Sequence, residues 1–374
     1  METDALPVAV IGLGAFGHQT LQALQQVQAV KVVGIADRNP ATAAQVGRAH
    51  SVPSYSDNRS LLAEARPKAV YLAVPPMVAP ELLGACAERG IHVWKELPLA
   101  RDLGEGVAMV RRMEQAGVKL AVGTQRRFGG PYRRAWELRE RIGKVFLGRA
   151  HYLFNWGPAL GWRGDKASAG GGALLELGYH PIDLLVWLLG LPDEVYGISA
   201  GGKRPDQQRS DGQPLPPYDT DDTVAALLRY ASGCMASVVT TRCSGPVSEE
   251  LSLHGQEGSL TASSELCLLR NRDGAVLDRT GEDSAPLAVF RRQAEAFAQA
   301  VRTDAKTYEC SARENLLDLA VIEAVYLSDR TSQPETPHRL LKTHGLTAPE
   351  CLVHRPPAAS SPAAADAPIA DSRK

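Results

Sequence analysis

The sequence has no surplus of either charge: 41 Lys and Arg residues stand against 42 Asp and Glu, a formal net charge of −1 over 374 residues. That balance argues against a general electrostatic footprint for nucleic acid, so no nucleic-acid partner is expected. Long apolar runs are also missing. No stretch is long enough to cross a bilayer, and the acidic start METDAL lacks a signal-peptide pattern. A cytoplasmic location without membrane partners is the expectation. Cysteine is scattered over six positions (Cys86, Cys234, Cys243, Cys267, Cys310 and Cys351) with no C-x-x-C pair. This spacing argues against a disulfide framework or structural zinc, and no metal site is expected. Hydrophobic residues at 44% and charged residues at 22% are ordinary for a soluble globular protein, and the length accommodates two domains.

What is there begins with a rhythm. PVAVIGLG, VKVVGIAD, AVYLAVP, IHVW and VKLAVGT are apolar strand patterns, separated by helical patterns such as FGHQTLQALQQV and LGEGVAMVRRMEQAG. Strands without polar alternation, joined through helices, predict a parallel sheet covered on both faces. The first domain is therefore expected over 1–125 as a doubly wound α/β nucleotide-binding unit. After residue 125, strand patterns such as RAHYLFNW, TVAALLRY, CMASVVTTRC and SEELSLHG are joined by turn signals. They predict an α+β domain over 126–350 with antiparallel neighbours. Late helical patterns close it and are free to pack back on the first domain. The Pro- and Ala-rich tail, 355–374, has little to bury and is expected to be disordered. The polar stretch from Gly202 to Pro217 reads as a surface loop.

GLGAFG follows the first strand and opens a helix. Gly12 permits a tight turn, Gly14 lets the backbone approach a pyrophosphate, and Gly17 allows close helix–strand packing. Ala15 and Phe16 complete the turn. The second strand ends at Asp37, twenty positions after Gly17, where a carboxylate can accept hydrogen bonds from a ribose. That carboxylate favours NAD. Arg38 beside it keeps NADP open, because a guanidinium can receive the extra phosphate. Ala73, Val74 and Pro75 end the next strand at the crevice of such a sheet and are expected on the cofactor path.

A second informative stretch is AGGGALLELGYHPIDLLVW, read as one long, largely apolar helix. On it Glu176, His180 and Asp183 share one face. A carboxylate one turn from an imidazole can fix its tautomer and raise its basicity, which suits a proton shuttle at an alcohol carbon. A polar stripe around a satisfied core histidine fits the same spacing.

Taken together, GLGAFG at 12–17, AVPP at 73–76, ERGIHVWKELPLA at 88–100, RRFGGPYRRAWELRERIG at 126–143 and GGGALLELGYHPIDLLVWLLG at 170–190 resemble the Gfo/Idh/MocA oxidoreductases. This family includes inositol dehydrogenase and glucose–fructose oxidoreductase. The resemblance implies a Rossmann-like first domain and a second α+β domain on an open, mostly antiparallel sheet. It implies homodimers or homotetramers formed through that sheet, and hydride transfer between NAD(P) and a sugar, sugar acid or cyclitol. Glu96, Pro98 and Gln125 are implied beside the cofactor. His180 is the implied acid–base group with Glu176 orienting it. Arg127, Trp162, Arg163, Tyr179 and Asp183 are implied around the substrate. A structural role is equally open for each of them: Arg126 and Arg127 fit a cap or brace of the following helix, and Tyr132, Arg133 and Arg134 its surface.

The family's Glu-Lys-Pro motif falls on Glu96, Leu97 and Pro98, so leucine stands where the resemblance implies a catalytic lysine. Leucine can neither donate nor accept a proton. Three outcomes are open. His180 shuttles the proton alone, or Lys95 stands in, two residues away on an extended chain. Otherwise the chain departs from ordinary alcohol oxidation. It would then be a lyase or glycosidase that retains NAD and oxidises transiently, or a cofactor-binding protein without turnover.

Overall fold

The computed structural model describes residues 5–157, 160–201, 218–281 and 286–352. The stretch from Gly202 to Pro217 and the tail at 355–374 lie outside the described residues.

The first sheet comprises β1 (Leu6–Ile11), β2 (Val30–Ala36), β3 (Ser54–Tyr55), β4 (Ala69–Leu72), β5 (His92–Lys95) and β6 (Leu120–Val122). Its order is β3-β2-β1-β4-β5-β6, and every pairing is parallel. The order reverses between β1 and β4, which is where a doubly wound sheet opens a ligand crevice. Continuous apolar composition has its expected result, and β4 is buried at every position. The helix Pro286–Arg302, late in the chain, joins this domain. Its Phe290, Ala294 and Phe297 share a core with Val8, Val10 and Leu21.

The second sheet comprises β7 (Val145–Asn155), β8 (Glu194–Gly201), β9 (Asp221–Arg229), β10 (Met235–Thr241), β11 (Cys243–Gly255), β12 (Gly258–Ala262), β13 (Leu266–Asn271) and β14 (Val276–Gly281). The order is β14-β13-β12-β11-β7-β10-β9-β8. β7 and β10 run parallel, and the other pairings are antiparallel. The helices Tyr179–Leu189 and Ala312–Thr331 pack on one face. On the opposite face Tyr196, Ile198, Leu227, Met235 and Val239 remain exposed. Register aligns them, with Tyr196 opposite Leu227 and Ile198 opposite Ala225, itself opposite Val239.

One element departs from the sequence expectation. The stretch read as a single helix is two, Ala173–Glu176 and Tyr179–Leu189, and the segment Lys166–Glu176 meets the second helix at 55°. Pro181 has no N–H to donate to Leu177, and a Cβ on Gly178 would lie 2.7 Å from the Leu174 carbonyl oxygen. Glu176 and His180 are therefore not one turn apart on a common face.

The carboxyl end of β5 carries two buried charges. Lys95 Nζ donates to the backbone oxygens of Glu96 (2.9 Å) and Pro98 (2.5 Å), and burial pulls its pKa down to about 8. Burial pushes Glu96 up to about 7, against the opposing hydrogen bond from the Tyr71 hydroxyl and the charge of Lys95. Because the folded-state value of Glu96 lies above its ordinary 4.5, its protonated form favours the fold below that pH. The contribution is lost as pH rises towards 7. Urea unfolding of Glu96→Gln against the parent protein is expected to register this loss. Across that window the parent should lose stability relative to the variant, by an amount on the order of 3 kcal/mol.

Candidate functional site

The glycine turn is built for close approach. Gly12 has φ +89°, and a Cβ there would sit 2.2 Å from the Ala73 carbonyl oxygen, while one on Gly17 would sit 1.9 Å from that of Gly12. Neither position accommodates a side chain. Around Gly14 nothing lies within 4 Å of a Cβ position, so the turn faces open space at the start of the helix Ala15–Leu24. No side chain caps that helix. Its unpaired N–H groups and open approach fit a dinucleotide pyrophosphate. Asp37, just beyond β2, accepts from the backbone N–H groups of Leu13 and Asn39, each at 2.8 Å. That bond ties the turn to the second strand. Arg38 is exposed.

From this turn a cavity of about 880 Å³ runs to the second sheet. Of the expected cofactor residues, Gly14, Ala15, Phe16, Gly17, Ala73, Val74, Pro75, Glu96, Pro98 and Gln125 line it. Gly12, Asp37 and Arg38 lie outside its wall. His180, Glu176, Trp162 and Arg163 line it as well, and so does Leu97.

His180 is 6% exposed, and its Nδ1 has no hydrogen-bond partner among the described residues. Burial first, and then the positive charge of Arg126, hold its pKa well below the ordinary imidazole value. The ring is therefore neutral at pH 7 and can accept a proton. Its expected orienting partner is engaged elsewhere, since the Glu176 carboxylate takes its hydrogen bond from Arg163 Nε. The Arg163 guanidinium stacks between two indoles, 4.3 Å from the Trp156 ring centre and 4.5 Å from that of Trp162. The helix break explains the change of partner, because Glu176 ends the short helix that faces the Trp162–Arg163 turn.

Four further expectations are corrected by geometry. Lys95 does not reach the cavity. β5 ends at Lys95, so the two-residue alternation that would align it with position 97 stops there, and the ammonium folds onto backbone carbonyls instead. Arg127 and Asp183 are buried together, with Nη2 to Oδ1 at 2.6 Å and both carboxylate oxygens 3.0 Å from Nε. Glu314 joins the cluster, 3.1 Å from Arg127 Nη1, and the fully buried Asp318 carboxyl lies against Asp183. Tyr179 is fully buried, its hydroxyl 3.4 Å from the Asn315 carbonyl. These three residues hold the frame and do not line the cavity.

Other residues face the cavity without having been expected there. Arg126 does not merely brace a helix. It lines the cavity, with Nε 2.7 Å from the Glu249 carboxylate and its guanidinium carbon 5.5 Å from the Tyr152 ring centre. Tyr132, expected on a helix surface, is 1% exposed and donates to Glu249 at 2.7 Å. Arg133 and Arg134 form ion pairs with Glu309 and Asp278, away from the cavity wall. Tyr152, Phe154 and Trp156 form one wall. Their alternation in YLFNW is visible in the sequence, though nothing there says which face they share.

Comparison with known proteins agrees with this architecture. Residues 6–124 match the family model "Oxidoreductase family, NAD-binding Rossmann fold", and residues 132–261 match "GFO/IDH/MocA C-terminal domain". D-xylose 1-dehydrogenase (NADP(+)) 2 of Haloferax volcanii is 27% identical over 334 residues, 86% of this chain and 97% of its own. Levoglucosan dehydrogenase of Pseudarthrobacter phenanthrenivorans is 30% identical over 251 residues, 62% of this chain and 64% of its own. Among solved structures, levoglucosan dehydrogenase in complex with NADH and levoglucosan superposes with a TM-score of 0.79 at 24% identity, covering 89% of this chain and 99% of its own. Two consecutive domain matches, one on each side of the cavity, establish that this chain, with its NAD-binding Rossmann domain, belongs to the Gfo/Idh/MocA oxidoreductases.

Proposed function

We propose that the protein is an NAD-dependent sugar dehydrogenase or reductase in which His180 handles the proton. The observation that carries this reading is a buried imidazole with an unpartnered Nδ1 on the wall of the cavity that begins at the glycine turn. A bound nicotinamide supplies the hydride acceptor or donor. In oxidation, His180 takes the hydroxyl proton as the C–H hydride departs, and in reduction it returns the proton to the carbonyl oxygen. Glu176 acts through Arg163, keeping that cation stacked between Trp156 and Trp162.

The charge pattern favours a neutral sugar or cyclitol over a sugar acid. Both arginines on the wall are already matched to carboxylates, Arg126 to Glu249 and Arg163 to Glu176. Named relatives act on sugars, among them D-xylose, levoglucosan and 1,5-anhydro-D-fructose, going by their names. Leu97 lines the cavity where the family resemblance implies a lysine, which keeps a second reading, transient oxidation with retained NAD, in view. Net nicotinamide absorbance change during turnover marks a dehydrogenase, and product formation without it marks the recycling reaction. The exposed apolar face of β8, β9 and β10 supports self-association through the second sheet.

His180→Asn is expected to lower kcat/KM by about 10²–10⁴ while leaving NAD affinity within about two-fold. In stopped-flow pH profiles, the parent's oxidation rate should hold as pH falls below the ordinary imidazole value. Arg126→Gln should move the acid limb to higher pH, and an acid limb at the ordinary value in the parent would remove the case for His180. Leu97→Lys is expected to raise kcat on weak sugar substrates by about ten-fold or more, measured as initial rates over a polyol panel. Leu227→Lys should shift the oligomer towards monomer in light scattering, because a cation then replaces an apolar contact between copies.

A further inference from the structure

We infer that the cavity is built for a substrate with two rings, a neutral glycoside or disaccharide, whose reacting ring meets His180 while its outer ring lies on Phe154 and Trp156. The inference rests on the sugar reading above and extends it to the size and shape of the ligand.

The carrying observation is a row of aromatic side chains leading away from the imidazole. The Tyr152 ring centre lies 5.9 Å from that of His180, Phe154 follows at 6.5 Å from Tyr152, and Trp156 at 5.0 Å from Phe154. Residues two apart on a strand share a face, so Tyr152 and Phe154 project together from β7, and Trp156 continues the row just past the strand's end. The two successive steps of 6.5 Å and 5.0 Å between ring centres make a row longer than one pyranose ring. All three rings line the cavity and are partly exposed.

Packing does not account for the row. None of the three belongs to a hydrophobic core cluster, whereas Tyr132, Trp136 and Trp187 in the same domain all do. Large aromatics outside a core, aligned along a cavity wall, present flat apolar faces of the kind that sugar rings stack on. The neighbouring strand extends the surface with Val247, which also lines the cavity and is 58% exposed. At the far end the Trp156–Arg163–Trp162 stack closes the row, its charge neutralised by Glu176. A neutral, ring-shaped ligand longer than a monosaccharide fits these features.

The test measures binding to the NAD-loaded protein by titration calorimetry and tryptophan fluorescence. The probe pairs are D-glucose with cellobiose, D-glucose with maltose, and D-xylose with xylobiose. In at least one pair the two-ring sugar is expected to bind about ten-fold more tightly or better. Trp156→Ala and, separately, Phe154→Ala should reduce that advantage to about two-fold or less, with the circular dichroism of each variant checking its fold. Equal affinities within every pair, no binding of any two-ring probe, or an advantage that survives both substitutions overturns the inference. Binding needs no chemistry, so the two readings fail separately. A two-ring preference without nicotinamide reduction keeps the aromatic row and removes the dehydrogenase. Turnover of monosaccharides without a two-ring preference does the reverse.

Discussion

The buried fork of Arg127 sets the geometry around the cavity. Its guanidinium grips Asp183 on the Tyr179–Leu189 helix and Glu314 on the Ala312–Thr331 helix, and all three side chains are at most 3% exposed. Removing one partner from such a cluster leaves a buried charge uncompensated, at a cost of about 3–5 kcal/mol. The cluster therefore holds three separate elements in one arrangement. Its close neighbours in the chain reach the cavity. Arg126, one residue before Arg127, and His180, three residues before Asp183, both line the cavity. The buried ion cluster thus fixes the elements that carry Arg126 and His180, and the charge of Arg126 reaches the imidazole.

A helix break divides the polar residues of the second domain between two tasks. Without the bend before Tyr179, Glu176 would lie over His180 and raise its proton affinity. With the bend, the carboxylate holds Arg163 against two tryptophans, and the imidazole is left with burial and a nearby cation. Both influences act in one direction and favour the neutral ring.

Much of this was legible in the amino-acid order. The glycine turn, the alternation of apolar strands and helices, and Asp37 at the end of β2 are local patterns whose physics is local. Continuous apolar strands require cover on both faces, and a Gly-x-Gly-x-x-Gly turn between strand and helix requires close backbone approach. Lys95, Arg127, Tyr179 and Asp183 lie off the cavity wall for a shared reason. Lys95, Arg127 and Tyr179 each lie beside a residue that does line the cavity, and Asp183 lies one helical turn from His180; position along the chain does not say which way a side chain points once a strand ends or a helix bends. Arg126 and Tyr132 were undervalued for the same cause.

The sequence by itself determined the architecture of the first domain, the antiparallel character of the second and the presence of an imidazole in a segment that lines the cavity. Those follow from periodicity and from glycine and proline, which act within a few residues. Tertiary structure alone decided which carboxylate pairs with which cation. Among the described residues those pairings join positions up to 199 apart, the separation of Glu114 and Arg313. The buried ones are chosen by burial, because a charge removed from water takes whichever opposite charge the fold brings within reach.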